Sequence, residues 1–246
     1  MGGLVKILLT IAYDGTNYAG WQRQDNALTV QQMAEEALSN LLNQPIKLSA
    51  ASRTDAGVHA LGQKAVFTIE HMPIPLDKLP QALYIADDVV VQEARQVSDE
   101  FNPRFDPKFK TYRYQIYNAK LPNPLESRYS AFVARPLDVK KMQQAAKKFI
   151  GTHDFAAFCA TGSSAKTTVR TIFGCEVKKN GDMIQLLIRG NAFLYNMVRI
   201  IAGTLLYVGM GKIEAESIPN IIASKKRPQA GKTMPPEGLT LIEIQY

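Results

Sequence analysis

The sequence predicts an α+β protein built from two related ferredoxin-like (split βαβ) domains, whose antiparallel sheets form a cleft. Three observations carry this reading. In the first hundred residues, segments of strand-like alternation and helical spacing follow one another as β-α-β-β-α-β. After the proline-marked stretch "NPRFDPKFK" a second set of strands and helices runs in nearly matching order. A chain of 246 residues, 46% of them hydrophobic, is also long enough for two cores of ordinary size. The boundary is placed near residue 105, giving an N-terminal domain 1–105 and a basic C-terminal domain 106–246, although no sequence-level repeat relates them.

Residues 4–13 are β-branched and apolar and end at Asp14-Gly15, as expected for a buried strand entering a turn. "TVQQMAEEALSNLLNQ" is a helix, with Thr29 and Gln32 as a capping box and Met33, Ala37, Leu38, Leu41 and Leu42 as its apolar stripe. A strand at 46–51 leads into "SRTDAGVHA", and "QKAVFTIE" (63–70) alternates as a strand. A proline-bounded helix covers about 76–85, and "VVVQEARQV" is a further strand. In the second half "TYRYQIYN" is a strand, followed by a Pro-rich loop and a short strand near 129–134. A helix at 138–149, strands at 170–178 and 183–189, helices near 192–208 and 215–223, and a strand at 240–245 complete it.

The net charge of +7 is unevenly spread. Residues 1–105 hold 8 Lys+Arg against 12 Asp+Glu, and residues 106–246 hold 21 against 10, so the balances are −4 and +11. An asymmetry of that size points to nucleic acid or another anionic partner. The helix lysines Lys140, Lys141, Lys147 and Lys148 recur seven apart on one face. The first apolar run is too short to span a bilayer and has no cleavage site after it, and Cys159 and Cys175 lack disulfide or zinc spacing. These features predict a cytoplasmic protein with no membrane association.

Several chemistries fail on spacing. "AGKT" at 230–233 ends like a phosphate-binding loop, but residue 226 is Lys where the motif needs glycine. "GMGK" at 209–212 follows a helix, not a strand, and is expected to be a helix end. Asp55 and His59 are spaced as two metal ligands, whereas a catalytic zinc takes three, and His71 and His153 lie in different contexts. No "GxSxG" elbow supports a serine nucleophile. What is left is Asp55, a carboxylate beside Arg53 in a glycine-containing loop, which by itself is usually an ordinary turn former.

Three further stretches alter that balance: "YDGTNYAGWQRQDNALTVQ" (13–31), "KTYRYQIYN" (110–118) and "GNAFLYNMVRIIAGTLLYVGMGK" (190–212). With "SRTDAGVHA", "GTHDFAAF", "VRTI" and the closing "RPQAGKTMPPEGLTLIEIQY", they resemble the TruA family of tRNA pseudouridine synthases nearly end to end. Where that family often has Phe-His-Ala-Arg-Phe, this chain reads Phe101-Asn102-Pro103-Arg104-Phe105.

The resemblance implies an isomerase that detaches uracil from its ribose, rotates it and rejoins it through carbon 5, with no cofactor and no metal. It implies action on positions 38, 39 and 40 of the tRNA anticodon stem-loop, and a homodimer. Asp55 matches the catalytic aspartate, as covalent nucleophile or as base. Arg199 matches its pairing arginine and Tyr112 the tyrosine that stacks on uracil. Arg53 is a candidate for the flipped nucleotide's phosphate. Trp21, Gln22 and Arg23 are expected in an exposed loop reaching the RNA. The rival readings are a non-catalytic RNA-binding protein on the same scaffold, a related synthase with a different RNA target, and a metal-dependent hydrolase using Asp55 and His59.

Overall fold

The computed structural model describes residues 4–246. The chain divides into two compact units: the first runs to Lys108 and also takes Leu241–Tyr246, and the second is Phe109–Thr240. Both are mixed α and β, and the strand pairs described below are antiparallel apart from one short parallel pair.

In the first unit β1 (Val5–Tyr13) is central, antiparallel to both β3 (His59–Ile69) and β4 (Val89–Val97). The expected strand at 46–51 is reduced to β2 (Ser49–Ala50) on the edge of β3. Strand alternation is clear in the burial. Ile7, Leu9 and Ile11 are fully buried, while on the opposite side Lys6 and Thr10 are half-buried about a buried Leu8. Opposite Thr10 stand Lys64 on β3 and Glu93 on β4, and the Thr10 hydroxyl donates to Glu93 at 3.0 Å.

Helix α1 (Val30–Leu42) starts where Thr29 Oγ1 accepts the Gln32 amide at 3.3 Å, and Asn43 ends it in the left-handed region. The Gln32 side chain turns to Glu36, so only half of the expected capping box forms. The stripe is rotated from the predicted one. Val30, Ala34, Leu38 and Leu42 are buried, whereas Met33, Ala37 and Leu41 are half-buried along a shallow groove beside Ala82–Ile85. The cause is Glu35, which is buried because it accepts from Leu48 N (2.9 Å) and Gln31 Nε2 (2.9 Å) and pairs with Arg23 (3.3 Å) and Lys47 (3.7 Å). A hydrophobicity pattern cannot assign a charged residue to the core, though paired carboxylates are admitted there. Helix α2 shrinks to Leu79–Ala82, because Pro80 is tolerated only in a first turn and Leu83 is already extended.

In the second unit β5 (Phe109–Tyr117) pairs with β9 (Met183–Gly190), β9 with β8 (Val169–Asn180), and β8 with β7 (Gly151–Asp154). The two-residue β6 (Ala131–Phe132) lies parallel to β5. Helix α3 (Val139–Lys147) packs on β8 and on α4 (Met197–Gly209), and α5 (Ile218–Ser224) follows after a short 3-10 turn. Two of the α3-region lysines are paired within the unit, Lys141 with Glu214 (4.0 Å) and Lys148 with Glu216 (2.8 Å). In the first unit β1 lies between β3 and β4, whereas in the second β5, β9, β8 and β7 follow one another in that order.

Helix α4 is apolar all round and correspondingly buried, with eleven of its thirteen residues inside; Arg199 and Tyr207 are the exceptions. It ends at Gly209, as the "GMGK" reading expects, and the Lys212 amide returns to Tyr207 O at 2.8 Å. It starts five residues later than predicted, since Asn196 sits at φ 60° and Met197 N closes a turn on Leu194 O. His153 has a structural place, with its ring edge-on to Phe155 at 5.7 Å and Nε2 3.1 Å from Ile150 O.

Candidate active site

Asp55 opens a tight turn in the first unit. Val58 N donates to Asp55 O at 3.1 Å, and Gly57 stands at φ 75°, the position at which this turn type requires a residue free to adopt positive φ. The carboxylate-bearing residue is half-buried, its neighbour Arg53 is exposed, and Thr54 between them is buried.

Residues 13–21 hold this turn from behind. Trp21 N donates to Thr54 O at 3.1 Å, the Tyr13 and Thr54 hydroxyls lie 2.7 Å apart, and Gly57 N donates to Tyr18 O at 3.2 Å. A Cβ on Gly15 would stand 2.0 Å from Val58 O, and one on Gly20 2.5 Å from Thr54 O. Backbone therefore lies against backbone, and only glycine permits the approach.

Trp21 corrects the sequence reading. It is not an exposed RNA-reaching residue but 1% exposed, packed 5.9 Å from the Tyr13 ring. Arg23 remains 42% exposed, yet its guanidinium already contacts Glu35 at 3.3 Å and Glu36 at 3.6 Å.

His59 is turned into the fold. Its Nδ1 lies 3.0 Å from Gly15 N and 3.0 Å from Asp14 Oδ1, so it accepts from the amide when unprotonated there and donates to Asp14 when protonated. Among the described residues, no group of three or more His, Cys, Asp or Glu side chains is placed to hold a metal ion.

Tyr112 and Arg199 belong to the second unit. Tyr112, on β5, is 6% exposed and meets Phe193 edge-to-face at 5.1 Å. Arg199 Nε donates to Met234 O at 2.7 Å, one of its terminal nitrogens donates to Asn196 Oδ1 at 2.7 Å, and Met234 N returns to Arg199 O at 3.2 Å. The left-handed Asn196 thus has a purpose beyond starting the helix, because it places an acceptor for this guanidinium.

The strap carrying Met234 is the "AGKT" segment. Gly231 N donates to Thr204 Oγ1 at 2.8 Å, and Arg227 binds Gly231 O at 2.8 Å and Thr233 Oγ1 at 3.1 Å. A Cβ on Gly203 would lie 1.8 Å from Lys232 O. Its glycine serves a helix–backbone contact, which explains why the segment mimics the end of a phosphate-binding loop without being one.

Tyr114 was not singled out from the sequence, and it anchors the same strap. Its hydroxyl donates to Pro235 O at 2.7 Å, and Gly238 leaves room for its ring. Burial, and then the charge of Glu237, push its phenol far above the usual range, so it stays a neutral donor. Alternation on β5, two residues from Tyr112, was the available signal.

The strap gives a direct prediction. Gly203→Ala should destabilise the protein by about 2–3 kcal/mol, since the added methyl meets backbone that must move. The melting temperature should fall by roughly 4–12 °C, and activity should fall with it as Met234 O shifts from Arg199. A thermal melt matching wild type would show that the strap is not held at this contact.

Comparison with known proteins gives the class. The family model for tRNA pseudouridine synthase matches residues 9–106 and 145–246. The chain belongs to that family and is an isomerase acting on tRNA.

Within the family the chain is similar to proteins named tRNA pseudouridine synthase A. It is 50% identical over 242 residues to that of Acetivibrio thermocellus, covering 98% of this chain and 99% of the relative. It is 50% identical over 244 residues to that of Ruminiclostridium cellulolyticum and 47% identical over 242 to that of Thermoanaerobacter sp. strain X514, with the same coverage. Among the described residues no helix is long and apolar enough to cross a membrane.

Proposed function

We propose that this isomerase converts uridine to pseudouridine at positions 38, 39 and 40 of the tRNA anticodon stem-loop, in the cytoplasm and as a homodimer. The observation that carries the site is the Asp55 turn, which presents a half-buried carboxylate residue on backbone held by Tyr13, Tyr18 and Trp21. Asp55 is the catalytic group, acting at the ribose or the base of a flipped uridine. The bond from C1′ to N1 breaks, a bond from C1′ to C5 forms, the C5 proton leaves to solvent and N1 is left with a proton.

Arg199 supplies the cation that keeps the Asp55 carboxylate ionised while water is excluded. The two bonds to Met234 O and Asn196 Oδ1 support this role, because they fix the guanidinium before substrate arrives. Tyr112 lies against the uracil ring. The exposed Arg53 takes the phosphate of the flipped nucleotide, with Arg23 as a second phosphate contact that shares its charge with Glu35 and Glu36.

Mapping pseudouridine in tRNA from cells with and without this protein tests the target. Loss confined to positions 38–40 is expected. Unaltered modification there, with loss at another uridine, would reassign the substrate.

A further inference from the structure

We infer that the turn Asn102–Asp106 is a second RNA-binding element, in which Phe105 stacks on an unpaired base of the tRNA and Arg104 takes an adjacent phosphate, remote from the reacting uridine. The inference rests on the reading of the chain as a tRNA enzyme and extends it to a place outside the Asp55 site.

The turn is built with unusual completeness for an exposed segment. Asn102 Oδ1 accepts from Arg104 N at 3.0 Å and from Phe105 N at 3.3 Å, so the asparagine that stands where the family often has histidine closes the loop on itself. Asp106 Oδ2 accepts Asn102 N at 2.7 Å, and Asp106 N returns to Asn102 O at 3.1 Å. From below, Lys6 Nζ donates to the carbonyls of Asp99 and Phe101, Tyr246 OH donates to Pro103 O at 2.8 Å, and the Phe101 and Tyr246 rings meet at 4.7 Å, tilted by 55°.

All of this bracing presents two side chains outward. Phe105 is 76% exposed, and the Arg104 guanidinium lies over its ring at 5.5 Å. A large apolar ring held in water with a cation beside it costs free energy in the isolated protein. The same pair matches a nucleotide, with a π-face for the base and a planar fork for the phosphate.

Its position fits a long substrate. Lys6, which holds the turn, and Tyr13, which touches Thr54 beside Asp55, are seven residues apart on β1. At about 3.3 Å per residue that is on the order of 20 Å, a distance of several nucleotides. Along the same unit runs a polar groove where Lys64 and Arg95 stand with Glu93 and Glu243 beside Tyr246.

The test uses the whole enzyme with a full tRNA transcript and compares wild type with Phe105→Ala, Phe105→Tyr, Arg104→Ala and Arg104→Lys. Phe105→Ala should weaken tRNA binding roughly 5- to 150-fold, and Phe105→Tyr should restore most of it. Arg104→Ala should reduce the log–log salt slope by about 0.7–0.9, and Arg104→Lys should keep that slope. In both alanine variants the single-turnover rate at saturating enzyme should stay within about twofold of wild type. Unaltered affinity and slope in both alanine variants would overturn the inference, as would a fall in the bound-state rate without a fall in affinity. Failure of the wild-type protein to make pseudouridine would instead refute the functional reading on which it stands.

Discussion

Asp55→Ala should abolish pseudouridine formation, lowering the single-turnover rate by at least roughly 10²-fold, as expected for loss of an essential base or nucleophile. The fold should survive. The turn is closed by the Asp55 carbonyl and by Gly57, and is held through Thr54, Tyr18 and Trp21, all of which the substitution leaves in place. Nucleoside analysis of digested tRNA gives the rate, and circular dichroism gives the fold. A variant that folds and keeps activity within about tenfold of wild type would remove Asp55 from the chemistry.

Arg199→Leu should be nearly as damaging, by a different route. In the proposed site this guanidinium is the cation that keeps the Asp55 carboxylate charged in a water-poor cleft. Removing it favours the neutral acid, so the carboxyl pKa rises and the acid limb of the pH–rate profile should move to higher pH. Arg199→Lys keeps the charge but not the planar fork that reaches Met234 O and Asn196 Oδ1 together. It should lose roughly tenfold to a hundredfold in rate, as for a misplaced catalytic group. tRNA affinity should fall less in both, because phosphate contacts elsewhere provide most of it. A wild-type rate and profile in Arg199→Leu would show the pairing to be wrong. Collapse of binding with a preserved bound-state rate would make Arg199 a substrate anchor.

The elements legible in the sequence are those whose apolar periodicity is local. Strand β4 falls at Val89–Val97 as predicted because its alternation is flanked by turn residues, and α4 was visible as an apolar run containing one arginine. Strand β7 was missed because "GTHD" has no apolar residue to mark a face. The rotated stripe of α1 depends on the partners of Glu35, two of which, Leu48 N and Lys47, come from another segment.

The same division separates the two halves of the site description. Asp55, Arg199 and Tyr112 were nominated by motif, whereas what immobilises them lies far along the chain: Trp21 N on Thr54 O, and Met234 O on Arg199. Trp21 looked exposed because its polar neighbours describe a loop, and nothing local announces that its backbone docks on Thr54. Gly231 resembled a phosphate-loop glycine because close backbone approach and phosphate binding make the same demand for a missing side chain.

The central claim is isomerisation of uridine through carbon 5, and tritium release tests it most directly. Wild-type enzyme incubated with tRNA carrying uridine tritiated at carbon 5 should release tritium to water in proportion to the pseudouridine formed, with the tRNA chain intact. Tritium retained on an unmodified tRNA, or release accompanied by strand cleavage, would contradict the account.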